Sequence, residues 1–319
     1  MPDCGGHNPG CFRGHDPSHP LAAGSAGCSG IRSAGHYGHA ARSLVCEAGG
    51  VPKKRFTGKL TEFDLGVFTL LTQYDVLAAM TWPSKYFGLP RLPEPEVMDD
   101  SSEVQAYSSA AADAYLSKID DSFVEHALCL IGPLPGCALD IGCGPGQILV
   151  KLSARLPEWR LLGIDRSPAM IHRAREAQEP RVSQGGTSAA GNLCFFQGDA
   201  TALPFRDSSF DLVLCNSVLH HIGDPSGLFA EIRRIAKPDA AILLRDLRRP
   251  SRFRFPLHVR WYGRHYEGLM YKLYCDSVRA AYTREELYAM LRTAAIFGAR
   301  PFTHGSTHLG VERRARAVN

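Results

Sequence analysis

A glycine-rich turn preceded by an acid is the feature of this sequence best suited to bind a ligand. The turn carries Gly142, Gly144 and Gly146, and Asp140 comes just before it. Glycines at alternate positions remove side chains, so that a ligand can lie against the backbone. The third glycine comes one residue earlier than in the GxGxxG pattern of dinucleotide-binding proteins. A carboxylate beside the turn also suits a cationic ligand better than a pyrophosphate.

Two further aspartates follow the next apolar segments of the chain. Asp165 ends the second such segment, where an acid can accept hydrogen bonds from both hydroxyls of a ribose. Asp199 follows the third segment, and together with the neighbouring backbone it could bind the edge of an adenine. Each aspartate alone is equally well explained as a surface acid at a strand end. Because each aspartate, like the glycine turn, follows one of the successive predicted strands, their combination favours a nucleoside site.

Short apolar segments alternate with amphipathic segments through this part of the chain, with Pro and Gly between them. The alternation predicts an α/β fold with a doubly wound, mainly parallel sheet, whose carboxyl edge would bring the ligand residues together. A capping-box spacing at Thr283 predicts a late helix, and residues 302–311 could close the sheet as a hairpin. The predicted strands cover residues 137–141, 161–165, 193–196, 210–215 and 240–245.

The block from about Phe123 to Leu247 resembles the class I S-adenosylmethionine-dependent methyltransferases, in particular the type 11 group that includes ubiquinone and menaquinone biosynthesis enzymes. The resemblance implies a seven-stranded Rossmann-like sheet with its last strand antiparallel, and S-adenosyl-L-methionine as methyl donor. The motifs that carry it are Leu139–Gly146, Gly163–Pro168, Gly198–Phe205, Phe210–Ile222 and Glu231–Pro238.

The same resemblance implies a role for each part of the site. The glycine turn and Asp140 would hold the methionine portion, Asp165 the ribose hydroxyls, and Asp199 the adenine. Asn216 would lie near the sulfonium and the acceptor. The cofactor-binding residues that it implies are Asp140, Gly142, Gly144, Gly146, Asp165, Arg166, Asp199, Ala200 and Asn216.

His220 and His221 are the candidate catalytic residues, because they follow the fourth predicted strand near the expected transfer point. An imidazole has a suitable pKa to take a proton from a carbon or hydroxyl acceptor. The alternative is that the pair only shapes the loop. Alignment of nucleophile, methyl group and sulfur supplies much of the catalysis, and no metal site is predicted.

Residues 246–282, called the cap below, are rich in arginine and aromatic residues. They could form a lid over an anionic or aromatic acceptor, a basic surface for RNA, or amphipathic helices with their aromatic side chains in the core. We expect a small-molecule acceptor, C-, O- or N-methylated, no nucleic-acid partner and no membrane insertion. The oligomeric state stays open.

The 319 residues carry a net charge of +4 and are 45% hydrophobic, which is typical of a globular protein. Residues 1–50 are poor in large apolar side chains and are predicted to be a disordered extension, with a metal-binding tail as the alternative. Residues 51–120 would be an ancillary helical segment, and residues 121–312 the methyltransferase domain. The ten cysteines form no disulfide pattern, and a cytoplasmic location is expected.

Three other functions stay open. A NAD(P)-dependent oxidoreductase would use a related sheet, although the glycine spacing and Asp140 favour a different ligand. A non-catalytic protein could keep the cofactor pocket for regulation. Methylation of a thiol or of arsenic would fit the cysteine content, but no three-cysteine acceptor site is evident.

Overall fold

Seven strands form one sheet, as the resemblance implies, and they build the predicted doubly wound α/β fold. The strand order in the sheet is β3-β2-β1-β4-β5-β7-β6. Strands β1 to β5 run parallel to one another, whereas β7 is antiparallel to both β5 and β6. The strands are β1 Cys137–Ile141, β2 Arg160–Asp165, β3 Leu193–Gln197, β4 Phe210–Asn216, β5 Ala236–Leu247, β6 Arg300–His304 and β7 His308–Arg313.

This computed structural model describes residues 87–94, 100–111, 114–183 and 192–316, all within one compact unit. The predictions for residues 1–50, and for 51–86 of the ancillary segment, lie outside the described residues. None of the described helices is long and apolar enough to span a membrane. The helices are α1 Ser101–Ala111, α2 Ala114–Leu130, α3 Gln147–Arg155, α4 Pro168–Ser183, α5 Ser226–Ile235, α6 Phe255–Tyr262, α7 Gly268–Ala280 and α8 Arg284–Ala294.

Helix starts follow the side-chain signals in the sequence. The hydroxyl of Ser167 accepts a hydrogen bond from the Met170 amide at 3.3 Å, which caps α4. At α8, the Thr283 hydroxyl accepts from the Glu286 amide at 3.3 Å, and the Glu286 carboxylate accepts from the Thr283 amide at 2.7 Å. This is the predicted capping box.

Two apolar layers, one on each face of the sheet, hold the strands in place. In β1, Leu139 and Ile141 pack into one layer, while Ala138 faces the other with Leu212. Alternate burial of this kind is expected when helices cover both faces of a parallel sheet. The carboxyl edge of the sheet is therefore a rigid frame for the site.

Two boundaries differ from the sequence prediction. Strand β5 begins at Ala236 rather than Ala240, because the chain leaves α5 directly into the sheet at an irregularity opposite Phe210. The predicted boundary between the ancillary segment and the domain, at residue 120, falls inside α2. Helix α1 packs against α4 and α7, so the described part of the ancillary segment belongs to the same unit.

Candidate functional site

A cavity of about 560 Å³ opens at the carboxyl edge of the sheet. Its volume is within the range of small-molecule sites, roughly 300–1,000 Å³. One side is formed by the turns after β1, β2, β3 and β4. The other side is formed by residues of α1, α2, α6 and α7.

The glycine turn forms part of the cavity wall through backbone alone. Gly142, Gly144 and Gly146 have φ angles of 68°, 51° and 84°, in the left-handed region that favours glycine. A Cβ on Gly142 would lie 2.3 Å from Val218, whereas the nearest atom to a Cβ on Gly144 is in Tyr107 at 3.9 Å. Gly144 therefore leaves a clear approach to the backbone.

Gly146, the third glycine of the turn, lies apart from the cavity. It is not part of the cavity lining, and a Cβ there would lie 2.8 Å from the ring of Phe195. Its backbone nitrogen donates to the Cys143 carbonyl at 3.0 Å, and α3 begins at the next residue. Gly146 thus allows α3 to start close to the sheet.

The Asp165 carboxylate joins two turns at the cavity wall. Its Oδ2 accepts a hydrogen bond from the Gly144 amide at 2.8 Å, and its Oδ1 accepts from the Ser167 amide at 2.9 Å. Each of these bonds uses one lone pair of one oxygen, so each carboxylate oxygen can accept a further hydrogen bond from a ligand in the cavity. This position and capacity suit paired hydroxyl donors.

Asp199, Ala200 and Arg166 lie together on the cavity wall, as the sequence predicted for neighbouring turns. The Thr201 amide and hydroxyl both donate to Asp199 Oδ1 at 2.7 Å, and these hydrogen bonds lower the pKa of Asp199. Arg166 Nε lies 4.0 Å from Asp199 Oδ2. The aspartate is therefore a fixed anion.

Asn216 also lines the cavity, at the end of β4. Its Oδ1 accepts a hydrogen bond from Nε of Arg245 at 3.1 Å, and the Arg245 guanidinium also donates to α2. This buried arginine fixes the orientation of the Asn216 side chain.

Asp140 is buried beneath the glycine turn rather than on the cavity surface. Neither carboxylate oxygen has a hydrogen-bond partner among the described residues. Burial, with further contributions from Asp165 and Asp120, raises the pKa of Asp140 to about 8. Burial likewise raises the pKa of Asp120, a cavity-lining residue, to about 6. A buried acid without a compensating partner is costly, and a cationic ligand would relieve that cost.

The His220 ring lies between two carboxylates. Its Nδ1 donates to Oδ1 of Asp246 at 2.6 Å, and its Nε2 lies 3.7 Å from Oε2 of Glu94. Burial lowers the pKa of His220, but the neighbouring carboxylates of Asp246 and Glu94 outweigh it and raise the pKa above its usual value. Asp246 holds the ring in one orientation, as in proton-transfer sites where a carboxylate fixes a histidine tautomer.

The sequence analysis missed Glu94, which belongs to a segment before the recognised motifs. Arg91 holds this segment to the domain by donating to the carbonyls of His220 at 2.9 Å and Ala280 at 2.6 Å. Ser277 donates to the Glu94 carboxylate at 3.2 Å, and burial raises the pKa of Glu94. No motif marks this acid, because only the folded chain brings it to the histidines.

Glu94, His220 and His221 have ligand atoms within 4.8 Å of one another, the one grouping of three such side chains found in the described part of the chain. His221 Nδ1 lies 3.5 Å from Glu94 Oε2. Since each nitrogen of His220 faces a carboxylate oxygen, ionic and hydrogen-bonding contacts account for the grouping.

The half of the cavity under the cap has an apolar, aromatic wall, which would suit an aromatic acceptor. Most of the arginines of the cap point away from this wall: Arg252, Arg254, Arg260 and Arg264 are exposed. The cap thus turns tyrosines toward the cavity and most of its arginines outward, although Phe253 and Trp261 are exposed as well. The wall residues are Tyr107, Tyr115, Tyr262, Tyr266, Met270, Leu273 and Tyr274.

The sheet order defines a doubly wound domain, and its cavity lies at the carboxyl edge of the sheet, where such folds bind their ligands. The sequence model of the family described as "Methyltransferase domain" matches residues 139–244. This match and the sheet order confirm the resemblance to class I S-adenosylmethionine-dependent methyltransferases.

Named relatives agree with this family. An uncharacterized methyltransferase of Schizosaccharomyces pombe, C1B3.06c, is 34% identical over 109 residues, which cover 34% of this chain and 38% of the relative. The demethylmenaquinone methyltransferase of Geobacillus kaustophilus is 29% identical over 191 residues, covering 55% and 79%. The chain spans less than half the length of several of the curated relatives it matches.

A solved structure supports the fold. The plantazolicin methyltransferase BpumL in complex with SAH has a TM-score of 0.53 and 16% sequence identity, covering 68% of this chain and 91% of that protein. At this identity the likeness concerns the fold alone.

Proposed function

We propose that the chain transfers a methyl group from S-adenosylmethionine to a small-molecule acceptor with an aromatic body. One observation carries the proposal: a single cavity joins the glycine turn and its acids to a wall of tyrosines. The acidic half matches a cationic nucleoside, and the aromatic half matches an apolar acceptor. The names of the demethylmenaquinone methyltransferases support an acceptor of small-molecule size.

The residues present fit the donor in charge and in shape. The unpartnered Asp140 carboxyl group, with Asp120 nearby, lies where the sequence expects the methionine portion, and a cationic ligand there would favour its ionised form. Asp165 would accept from the ribose hydroxyls, and Asp199 with Ala200 would bind the adenine. When bound, S-adenosylmethionine supplies a methyl group on a positively charged sulfur, which is a good leaving group.

His220 would take the acceptor's proton. Asp246 holds the Nδ1 proton, which leaves the lone pair of Nε2 as the base, and the nearby Glu94 carboxylate stabilises the imidazolium that forms. The His221 ring lies 4.2 Å from the His220 ring, centroid to centroid, at an interplanar angle of 36°, and His221 also faces Glu94. A hydroxyl or an acidic carbon would need this base, so we favour O- or C-methylation over methylation of a free amine.

The antiparallel β7 between β5 and β6 disfavours the oxidoreductase alternative, since dinucleotide-binding sheets are typically all parallel in the order 3-2-1-4-5-6. A non-catalytic regulatory role would leave the buried His220–Asp246 pair without a purpose. A measurement of methyl transfer distinguishes this regulatory alternative from the proposed enzyme, whereas a measurement of donor binding does not.

The test is transfer of a radiolabelled methyl group from S-adenosylmethionine to a panel of hydroxylated aromatic compounds and matched aromatic amines. We expect transfer to hydroxylated members, and His220→Ala should abolish transfer while still binding the donor. Donor binding without transfer to any compound or metabolite extract would favour the regulatory alternative.

A further inference from the structure

Helix α6 presents an apolar stripe to solvent on the face opposite the cavity. Phe253, Leu257 and Trp261 are 71%, 68% and 60% exposed. The Phe255 amide donates to the Ser251 carbonyl at 3.0 Å, so the helical turn already includes Phe253. Residues four apart share one face of a helix, and these three therefore form a continuous stripe.

The stripe extends beyond the helix through Phe87. The ring of Phe87 lies 5.5 Å from that of Phe253 and is itself half exposed. Half of the eight large apolar side chains that are exposed in the described chain belong to this one patch: Phe87, Phe253, Leu257 and Trp261. Single exposed apolar residues are ordinary, but a contiguous patch marks an interaction surface.

The opposite face of α6 is fully used within the domain. His258 and Val259 are buried, and Val259 packs against Tyr274 and Val278 of α7. Tyr262 lines the cavity. The exposed stripe is therefore not the face by which α6 packs into the domain. We expect it to contact a partner outside the described chain.

Positive charge surrounds the stripe. Residues 248–264 contain six arginines and no acid, and four of the six are exposed, whereas Arg249 is buried and paired with Glu286. Arg252, Arg254 and Arg260 are exposed and form no salt bridge within the described chain. The Arg264 guanidinium lies 4.8 Å from the centre of the Trp261 ring. An anionic partner would complement this charge.

We propose that this patch docks the protein on the surface of an anionic lipid bilayer. A helix with Phe, Leu and Trp on one face and arginines beside them lies in the interfacial plane, with its apolar face among the headgroups. Basic residues near such a surface are attracted by its negative potential. Docking of this kind is peripheral and crosses no bilayer. It would place the cavity, on the other side of α6, next to the membrane.

The aliphatic Leu257 at the centre of the patch favours lipid over RNA. Single-stranded RNA binds on aromatic platforms where bases stack, and a leucine between Phe253 and Trp261 interrupts such a platform. Acyl chains and headgroup boundaries accept aliphatic and aromatic side chains alike. Trp is also a preferred side chain at that boundary.

The test is co-sedimentation of the full chain with vesicles of phosphatidylcholine alone and of phosphatidylcholine mixed with phosphatidylserine. We expect binding to the mixed vesicles that weakens as salt is raised. The double variant Leu257→Gln, Trp261→Gln should bind the mixed vesicles at least roughly tenfold more weakly than the wild type. Phe297→Gln is the matched control, because Phe297 is 77% exposed but lies outside the patch.

Equal melting temperatures would show that the variants are folded, since both sites are on the surface. Failure of the wild-type chain to bind mixed vesicles would overturn the proposal, and so would equal binding by the double variant and the control. Salt-sensitive binding to single-stranded RNA without vesicle binding would identify the other partner. None of these readouts depends on methyl transfer, so the proposal and the function fail separately.

Discussion

Nδ1 of His220 lies 2.6 Å from Oδ1 of Asp246, and the backbone amide of His220 donates to Oδ2 of the same carboxylate at 3.1 Å. Asp246 thus fixes both the ring and the backbone of His220. Because the aspartate is near the end of β5 and the histidine follows β4, the pairing depends on the sheet. This pairing is what the proposed role of His220 as a base depends on.

Replacing His220 and His221 in turn should show which of the two histidines acts as the base. His220→Ala removes the proposed base and should lower kcat by about 10²–10⁴-fold, as general base removal does. His221→Ala should lower kcat much less, since it leaves the His220–Asp246 pair in place. Rates at saturating donor and acceptor, with donor affinity measured separately, decide the point. Equal losses in both variants would contradict the assignment.

Removing the charge of Glu94 should change the pH profile. The carboxylates of Asp246 and Glu94 raise the pKa of His220, while burial and Arg91 lower it. A base must be unprotonated to act, so the rate rises as pH increases through this pKa. Glu94→Gln should move that rise to lower pH and reduce kcat. Glu103→Gln, in the first turn of α1, is the control and should leave the profile unchanged. A purely structural role for Glu94 would change the rate without moving the profile.

Binding of S-adenosylhomocysteine should release protons near neutral pH. Burial raises the pKa of Asp140 to about 8, so this acid is largely protonated at pH 7. The ligand's ammonium group would favour the ionised form, and affinity should therefore rise with pH up to about 8. Calorimetry in buffers of different ionisation enthalpy measures the release. Asp140→Asn should abolish it, whereas Asp199→Asn should not, because hydrogen bonds lower the pKa of Asp199. Proton uptake on binding would contradict the account.

Gly310 should be the glycine whose replacement most affects the sheet. A Cβ there would lie 2.1 Å from the backbone oxygen of Leu244 in β5, which cannot move aside. Gly310→Ala should lower the free energy of unfolding by at least about 1–3 kcal/mol. Gly223→Ala is the control, since nothing lies within 4 Å of its Cβ position. Chemical denaturation of both variants checks the difference.

The fold was predictable because local signals and the global pattern agree. Apolar segments such as Cys137–Ile141, the Ser167 cap and the Thr283 capping box each act within a few residues of sequence. The acids at the strand ends were predictable for the same reason, because a parallel sheet brings its carboxyl ends together.

Contacts made only in the folded chain were not predictable. Glu94 reaches the histidines through Arg91 and Ser277, and no local pattern encodes either contact. The periodic core pattern does not show that Gly146 packs against Phe195 instead of lining the cavity. Both cases depend on distances between elements far apart in sequence.

The central claim is that the cavity binds an adenosyl donor, and titration calorimetry with S-adenosylhomocysteine tests it most directly. The wild-type chain should bind one equivalent, and Asp165→Ala should bind at least roughly tenfold more weakly because a charged acceptor is lost. His220→Ala should bind like the wild type. Absence of heat with folded wild-type protein, or equal binding by Asp165→Ala, would contradict the claim.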